Sequence, residues 1–272
     1  MFDTLISATQ LQQNYQADHW VVLDCRFDLM DVSKGEALYQ ACHIENAIYV
    51  NLNEQLSGTI TALSGRHPLP EIAALTNLFS KLGIGSHSQV VVYDDCGGAI
   101  AARAWWLLKW LGHESVALLD GGIQSWQALG YACSDVSPDI IETHFVRKHS
   151  DYETLSTQQI CSGDYQLIDA RASARYLGEV EPIDAIAGHV PGAVNYPFSD
   201  NLNEQGLFKP KLELLNQWQG IADPNNVHMC GSGVTACHNI LSMVYAGLPV
   251  TRLYTGSWSE WIRDSSRPVS SV

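Results

Sequence analysis

Val22-Leu23-Asp24-Cys25-Arg26 is answered by Leu167-Ile168-Asp169-Ala170-Arg171, an apolar run closing on Asp-X-Arg, at an offset of 145 (167 − 22). The correspondence continues outward. Cys42-His43-Ile44-Glu45-Asn46-Ala47-Ile48 aligns with Gly188-His189-Val190-Pro191-Gly192-Ala193-Val194 at an offset of 146 (189 − 43). Val91-Val92-Tyr93-Asp94 then meets Val227-His228-Met229-Cys230 at 136 (230 − 94). Finally, Leu119-Asp120-Gly121-Gly122-Ile123-Gln124-Ser125-Trp126 meets Tyr254-Thr255-Gly256-Ser257-Trp258-Ser259-Glu260-Trp261 at 135 (261 − 126). Landmarks kept in one order, with one deletion between the second and third, indicate a duplicated domain. Such internal repeats decide architecture ahead of local propensity.

Each half alternates short apolar strands, ending in small or acidic residues, with helical stretches such as 99–111 and 235–246. That alternation is the α/β pattern. Continuous Val/Ile/Leu runs suit strands buried on both faces, as in a mainly parallel sheet covered by helices. Gly112 after Trp110-Leu111, and Gly247 before Pro249, punctuate helix ends. The polar stretch Cys133-Ser134-Asp135-Val136-Ser137-Pro138-Asp139 falls between the repeats. The expected architecture is two tandem α/β domains, each a mainly parallel sheet flanked by helices, over residues 1–134 and 154–272, with 135–153 as linker.

Bulk properties narrow the function. A chain of 272 residues with 46% hydrophobic composition can build substantial cores. Its apolar runs have strand length, far below the roughly 20 residues of a membrane helix. The start, Met1-Phe2-Asp3-Thr4, lacks the basic and apolar regions of a secretory signal, so the cytoplasm is the expected compartment. Fifteen basic against 29 acidic residues give a net charge of −14, which repels nucleic acid, so any anionic substrate must be attracted locally. Seven cysteines with no close CxxC pair indicate neither a disulfide framework nor a zinc knuckle. No metal is expected.

The chemistry concentrates at Cys230-Gly231-Ser232-Gly233-Val234-Thr235-Ala236. Cys230 follows the strand-like Asn226-Val227-His228-Met229 and precedes a helix rich in Ile, Leu and Met. Gly231 and Gly233 free the backbone to turn successive N–H groups toward one point, and the helix adds the positive end of its dipole. A cysteine sulfur at that focus is expected as the thiolate, its reactive form.

On these residues the chain resembles the tandem-domain rhodanese family. Cys-Gly-Ser-Gly-Val-Thr-Ala is similar to the active-site loop of 3-mercaptopyruvate sulfurtransferases, whereas thiosulfate sulfurtransferases usually carry basic residues after the cysteine. The paired halves, Gly188-His189-Val190-Pro191-Gly192-Ala193 and Gly256-Ser257-Trp258-Ser259-Glu260-Trp261 extend the resemblance over nearly the whole chain. It implies that only the second domain is catalytic, and Asp94 indeed stands at the cysteine position of the first. It also implies a two-step displacement. Cys230 takes the outer sulfur of a small anionic donor, 3-mercaptopyruvate or thiosulfate, and passes it from a persulfide to cyanide or a thiol, without cofactor.

The resemblance assigns further roles. Arg175 matches the arginine that binds the anionic donor, a use to which a guanidinium fork is suited. His67, in Gly65-Arg66-His67-Pro68-Leu69-Pro70, is similar to a first-domain histidine that reaches the active site; the alternative is an ordinary surface loop. Ser232 either donates to the departing enolate or satisfies a loop backbone group. Gly231, Gly233, Val234 and Thr235 complete the substrate cradle, although Thr235 equally suits a helix N-cap. Arg171 has Arg26 as its partner in the half without a nucleophile, so it reads as a structural ion pair. Histidines 43 and 189, repeated in both halves, read as fold rather than catalysis, and Cys237 and tryptophans 105, 106 and 110 as packing.

The chain departs from the family where Glu181-Pro182-Ile183-Asp184 replaces Glu-Pro-Arg-Asp, so one donor-binding arginine is absent at 183. Thr255 also stands for the usual Asp, and Glu45-Asn46 for Pro-Gly. A cysteine phosphatase loop would need an arginine where Ala236 stands. A redox sensor or a binding module built on a rhodanese domain remain the other readings of a low-pKa thiolate.

Overall fold

Strand runs apolar on both faces must be covered on both sides, and each half of the chain builds one such sheet. The computed structural model describes residues 1–223 and 225–271. They divide into two units, one holding residues 1–57, 70–150 and 204–208, the other 58–69, 151–203 and 209 onward.

In the first unit the order is β1 (Leu5–Ile6), α1 (Ala8–Gln12), β2 (Trp20–Asp24), α2 (Lys34–Ala41), β3 (His43–Ile44), β4 (Ala47–Tyr49), α3 (Ile72–Lys81), β5 (Gln89–Tyr93), α4 (Ala101–Trp110), β6 (Val116–Leu119), α5 (Gly122–Ala128) and β7 (Cys133–Ser134). The sheet runs β1-β6-β5-β2-β4, all parallel, while β3 and β7 pair antiparallel apart from it. The second unit follows with β8 (Thr154–Leu155), α6 (Thr157–Ser162), β9 (Gln166–Asp169), α7 (Ser173–Leu177), β10 (Val194–Asn195), α8 (Lys211–Trp218), β11 (Asn226–Met229), α9 (Ala236–Tyr245), β12 (Arg252–Tyr254) and α10 (Ser257–Trp261). Its parallel sheet, β10-β9-β11-β12-β8, has the same strand order once the repeats are superposed.

The duplication extends to individual atoms. Ser7 and Ser156 begin α1 and α6 with identical capping boxes, closed by Gln10 and Gln159. Arg26 grips Asp24 (Nη2 to Oδ2 2.6 Å) and donates to the Cys42 carbonyl (2.8 Å). Arg171 grips Asp169 (2.7 Å) and donates to the Gly188 carbonyl (2.8 Å). Both pairs are buried, which confirms Arg171 in the structural role its repeat partner suggested. His43 stacks on Tyr39 at 3.9 Å and His189 on Tyr176 at 3.9 Å, each with Nδ1 against that tyrosine's carbonyl. Two histidines doing the same job in both halves are scaffold.

Residues 135–150, part of the expected linker, are largely exposed but tethered at points along their length. Thr143 N–H donates to the Ser80 carbonyl (3.0 Å), Lys148 N–H to that of Leu111 (2.9 Å), and Phe145 is buried against Phe79. A buried phenylalanine holds this irregular stretch to the first unit through Ser150. No helix among the described residues is long and apolar enough to cross a membrane.

The strand that leads to Cys230 carries an anomaly. His228, central in β11, is fully buried beside Trp218, and neither ring nitrogen has a hydrogen-bond partner among the described residues. Burial alone pushes its pKa down to about 3, so the native state holds it neutral, while the unfolded chain takes a proton below about pH 6.5. The histidine's contribution to stability is therefore intact above pH 6.5 and is lost as pH falls toward 3, at roughly 1 kcal/mol per pH unit. His228→Leu is expected to remove that component. In urea unfolding between pH 7.5 and 4.5, the stability gap between variant and wild type should move in the variant's favour as pH falls.

Candidate active site

Cys230 is placed by β11, whose end delivers it to the start of a loop that the next helix closes. The residue is 2% exposed. Its sulfur accepts the Gly233 N–H at 3.1 Å, its N–H donates to Ser257 Oγ (3.1 Å), and its carbonyl accepts the Trp258 N–H (3.0 Å). Gly231, Ser232, Gly233 and Val234 are buried as well. The two glycines have different physical reasons. Gly233 adopts φ +78°, and a Cβ there would sit 2.6 Å from the Thr255 carbonyl. Gly231 has no positive φ; its lack of a side chain leaves room for guanidinium groups, since a Cβ would lie 3.0 Å from Arg66 Nη2 and 3.5 Å from both Nη atoms of Arg175. Helix α9 begins at Ala236 with Thr235 at the N-cap position, but the Thr235 side chain makes no capping hydrogen bond.

The sister loop of the first unit explains what this backbone does. Asp94, at the position of Cys230, is 1% exposed. Its carboxylate accepts four backbone N–H groups, from Cys96 (3.0 Å), Gly98 (2.8 Å), Ile100 (2.8 Å) and Ala101 (2.9 Å). The strand-loop-helix of the first unit is thus an anion nest filled by the chain's own carboxylate, and the corresponding loop of the second unit, one residue shorter before its helix, turns the Gly233 N–H onto the Cys230 sulfur.

His67 Nδ1 lies 2.7 Å from Ser232 Oγ, with both residues buried, so the histidine is part of the loop's surroundings and not an exposed loop residue. It belongs to residues 58–69, which pack in the same unit as Cys230. Arg175, on α7, forms a bidentate pair with Glu181 (Nη2 to Oε1 2.7 Å) and reaches Asp184 Oδ2 at 3.0 Å. Burial pushes the Glu181 carboxyl up, but Arg175 and the amides of Asp184 and Ile183 outweigh it and hold it below the ordinary range. Burial and neighbouring Glu181 push Asp184 up, even though Arg66 and Arg175 pull it down. Cys237 is buried, its thiol donating to the Gly233 carbonyl (3.4 Å), consistent with packing.

Two residues escaped the sequence reading. Arg66 pairs with Asp184 from the opposite side to Arg175. Ser257, with φ +53°, is one of the rare non-glycine residues held in the left-handed region. Its repeat partner is Gly122, at φ +58°. A serine where the sister repeat has glycine was a visible signal.

A protein-family model described as "Rhodanese-like domain" matches residues 7–129 and again 155–264. The chain belongs to the rhodanese family. It is 44% identical over 277 residues to a Pseudomonas aeruginosa protein named "Probable 3-mercaptopyruvate sulfurtransferase", covering 98% of this chain and 97% of that one. It is 32% identical to the rat protein named "Thiosulfate sulfurtransferase", covering 89% and 84%. Among solved rhodanese structures, that of SseA from Escherichia coli, titled as a 3-mercaptopyruvate sulfotransferase, superposes with a TM-score of 0.81 at 27% identity, covering 95% of this chain and all of SseA.

In this rhodanese, Ser257 Oγ both accepts the Cys230 N–H and donates to the Tyr254 carbonyl (2.8 Å), which ties the Cys230 backbone to β12. Ser257→Ala should keep the backbone strain and orphan a buried N–H, at a cost of about 1–3 kcal/mol. Ser257→Gly, which copies the sister loop, should cost less because glycine adopts the conformation freely. Denaturant unfolding of the two variants in parallel checks the order.

Proposed function

We propose that this chain is a sulfurtransferase that moves a sulfane sulfur from 3-mercaptopyruvate or thiosulfate to cyanide or a thiol through a persulfide on Cys230. The observation that carries the reading is Cys230 buried at the head of the loop, with the Gly233 N–H on its sulfur, at the position where the sister loop gathers four N–H groups on Asp94. A loop of this kind is suited to a negatively charged sulfur.

In the first step the Cys230 thiolate attacks the outer sulfur of the donor. An S–S bond forms, the donor's bond to that sulfur breaks, and the bonding pair leaves on the donor, as pyruvate enolate or as sulfite. The loop amides then face the terminal persulfide sulfur. In the second step the acceptor attacks that sulfur and the pair returns to Cys230 as thiolate. No external oxidant is consumed: the outer sulfur of thiosulfate is already at the sulfane level, and the thiol sulfur of 3-mercaptopyruvate reaches it because the departing pair stays on the donor carbon, which is thereby reduced and takes a proton as the enolate becomes pyruvate.

Arg175 binds the anionic end of the donor. Ser232, 2.7 Å from His67, is placed to deliver a proton to the departing enolate, with His67 as its relay. Gly231, Gly233, Val234 and Thr235 line the cradle. The first repeat, with Asp94 in its nest, is the non-catalytic copy. Small soluble donors and acceptors suit the cytoplasm, and the net charge of −14 leaves anion capture to the local arginines. No cofactor is invoked in either step.

Sulfur transfer to cyanide from 3-mercaptopyruvate and from thiosulfate, measured in parallel on wild type and Cys230→Ser, tests the reading. Wild type is expected to turn over at least one donor and the variant neither, with the ratio of kcat/KM values naming the preferred donor. An inert wild type, or an active variant, overturns it.

A further inference from the structure

Arg66 is not explained by the fold. Gly65 brings the chain against the second-unit backbone so closely that a Cβ would lie 2.6 Å from the Gly256 carbonyl. The next residue, Arg66, donates its N–H to Ser259 Oγ (3.0 Å), and Ser259 N–H donates to the Gly231 carbonyl (2.9 Å). This short relay fixes Arg66 to the loop of Cys230. Its guanidinium comes within 3.0 Å of where a Gly231 side chain would begin, closer than that of Arg175 at 3.5 Å. Both guanidiniums share the Asp184 carboxylate, and Arg66 Nε is buried without a hydrogen-bond partner among the described residues. An unmet, buried guanidinium donor beside the nucleophile is the group an incoming anion would satisfy.

We propose that Arg66 is a second donor-binding arginine of the Cys230 site, acting with Arg175 as a two-armed clamp on the anionic end of the sulfur donor. The assignment rests on the sulfur-transfer reading above and adds the specificity residue that position 183, an isoleucine here, does not provide. Asp184 bridges the two arms before a donor arrives.

Two measurements on Arg66→Gln and Arg66→Lys test the clamp. The first is steady-state transfer with the preferred donor. Arg66→Gln should raise KM about 10- to 100-fold, the worth of a charge-assisted hydrogen bond, with a smaller change in kcat; Arg66→Lys should fall between the variant and wild type. The second needs no turnover. It compares alkylation of Cys230 by iodoacetate, an anion, with alkylation by neutral iodoacetamide. Arg66→Gln should lower the iodoacetate rate relative to iodoacetamide, and Arg175→Gln should do the same, while the iodoacetamide rate stays near wild type and reports an intact loop.

An unchanged ratio of the two alkylation rates in Arg66→Gln overturns the clamp, as does an equal fall with both reagents, which would mark Arg66 as structural. If wild type turns over neither donor yet the ratio still falls, the clamp stands and the sulfur-transfer reading fails.

Discussion

The structure depends on one constraint: a parallel strand ending in the middle of a covered sheet must turn at once into a helix, and the amides of that turn have no partner in either element. They converge on a point that something negative or polarisable must occupy. In the first unit the chain fills it with Asp94, whose carboxylate satisfies four N–H groups. In the second the Cys230 sulfur sits there with the Gly233 N–H at 3.1 Å. One device, used twice, carries a carboxylate at its focus in the first copy and a cysteine sulfur in the second.

Everything around the nest serves to hold it still. Asp24–Arg26 and Asp169–Arg171 tie the strand beside each nest strand to the loop carrying His43 or His189, whose rings stack on Tyr39 and Tyr176. Breaking a buried pair of this kind costs several kcal/mol because the surviving charge is left uncompensated, so both pairs persist even in the copy that has no nucleophile. The copy that carries Cys230 has polar groups of its own around the loop: Ser257 on the Cys230 N–H, His67 on Ser232, and the Arg66–Asp184–Arg175 bridge beside Gly231. In a chain of net charge −14, these few cations are a local exception to the overall charge.

Much of this was legible in the sequence for a physical reason. Strand burial writes itself as apolar runs, and a duplicated fold writes them twice, so two mainly parallel sheets flanked by helices, and the place of the loop, followed from Val22–Arg26, Leu167–Arg171 and the landmarks after them. Cys230 was legible because glycines flank it just ahead of a helix. Arg66 was not, since it lies in residues 58–69, which pack in the unit of the second repeat, and its partners Asp184 and Ser259 are far away in sequence. Gly231 was read for backbone freedom, yet its role is space under two guanidiniums. The irregular stretch after Pro138 looked like linker because buried Phe145 is a lone anchor with no periodicity around it.

The account turns on sulfur held at Cys230. Intact-protein mass spectrometry after brief exposure to 3-mercaptopyruvate or thiosulfate, without acceptor, tests that directly. The account predicts a gain of one sulfur atom, mapped to the peptide containing Cys230, and removed by cyanide. A protein that turns over donor yet never carries that sulfur, or carries it on another cysteine, would contradict it.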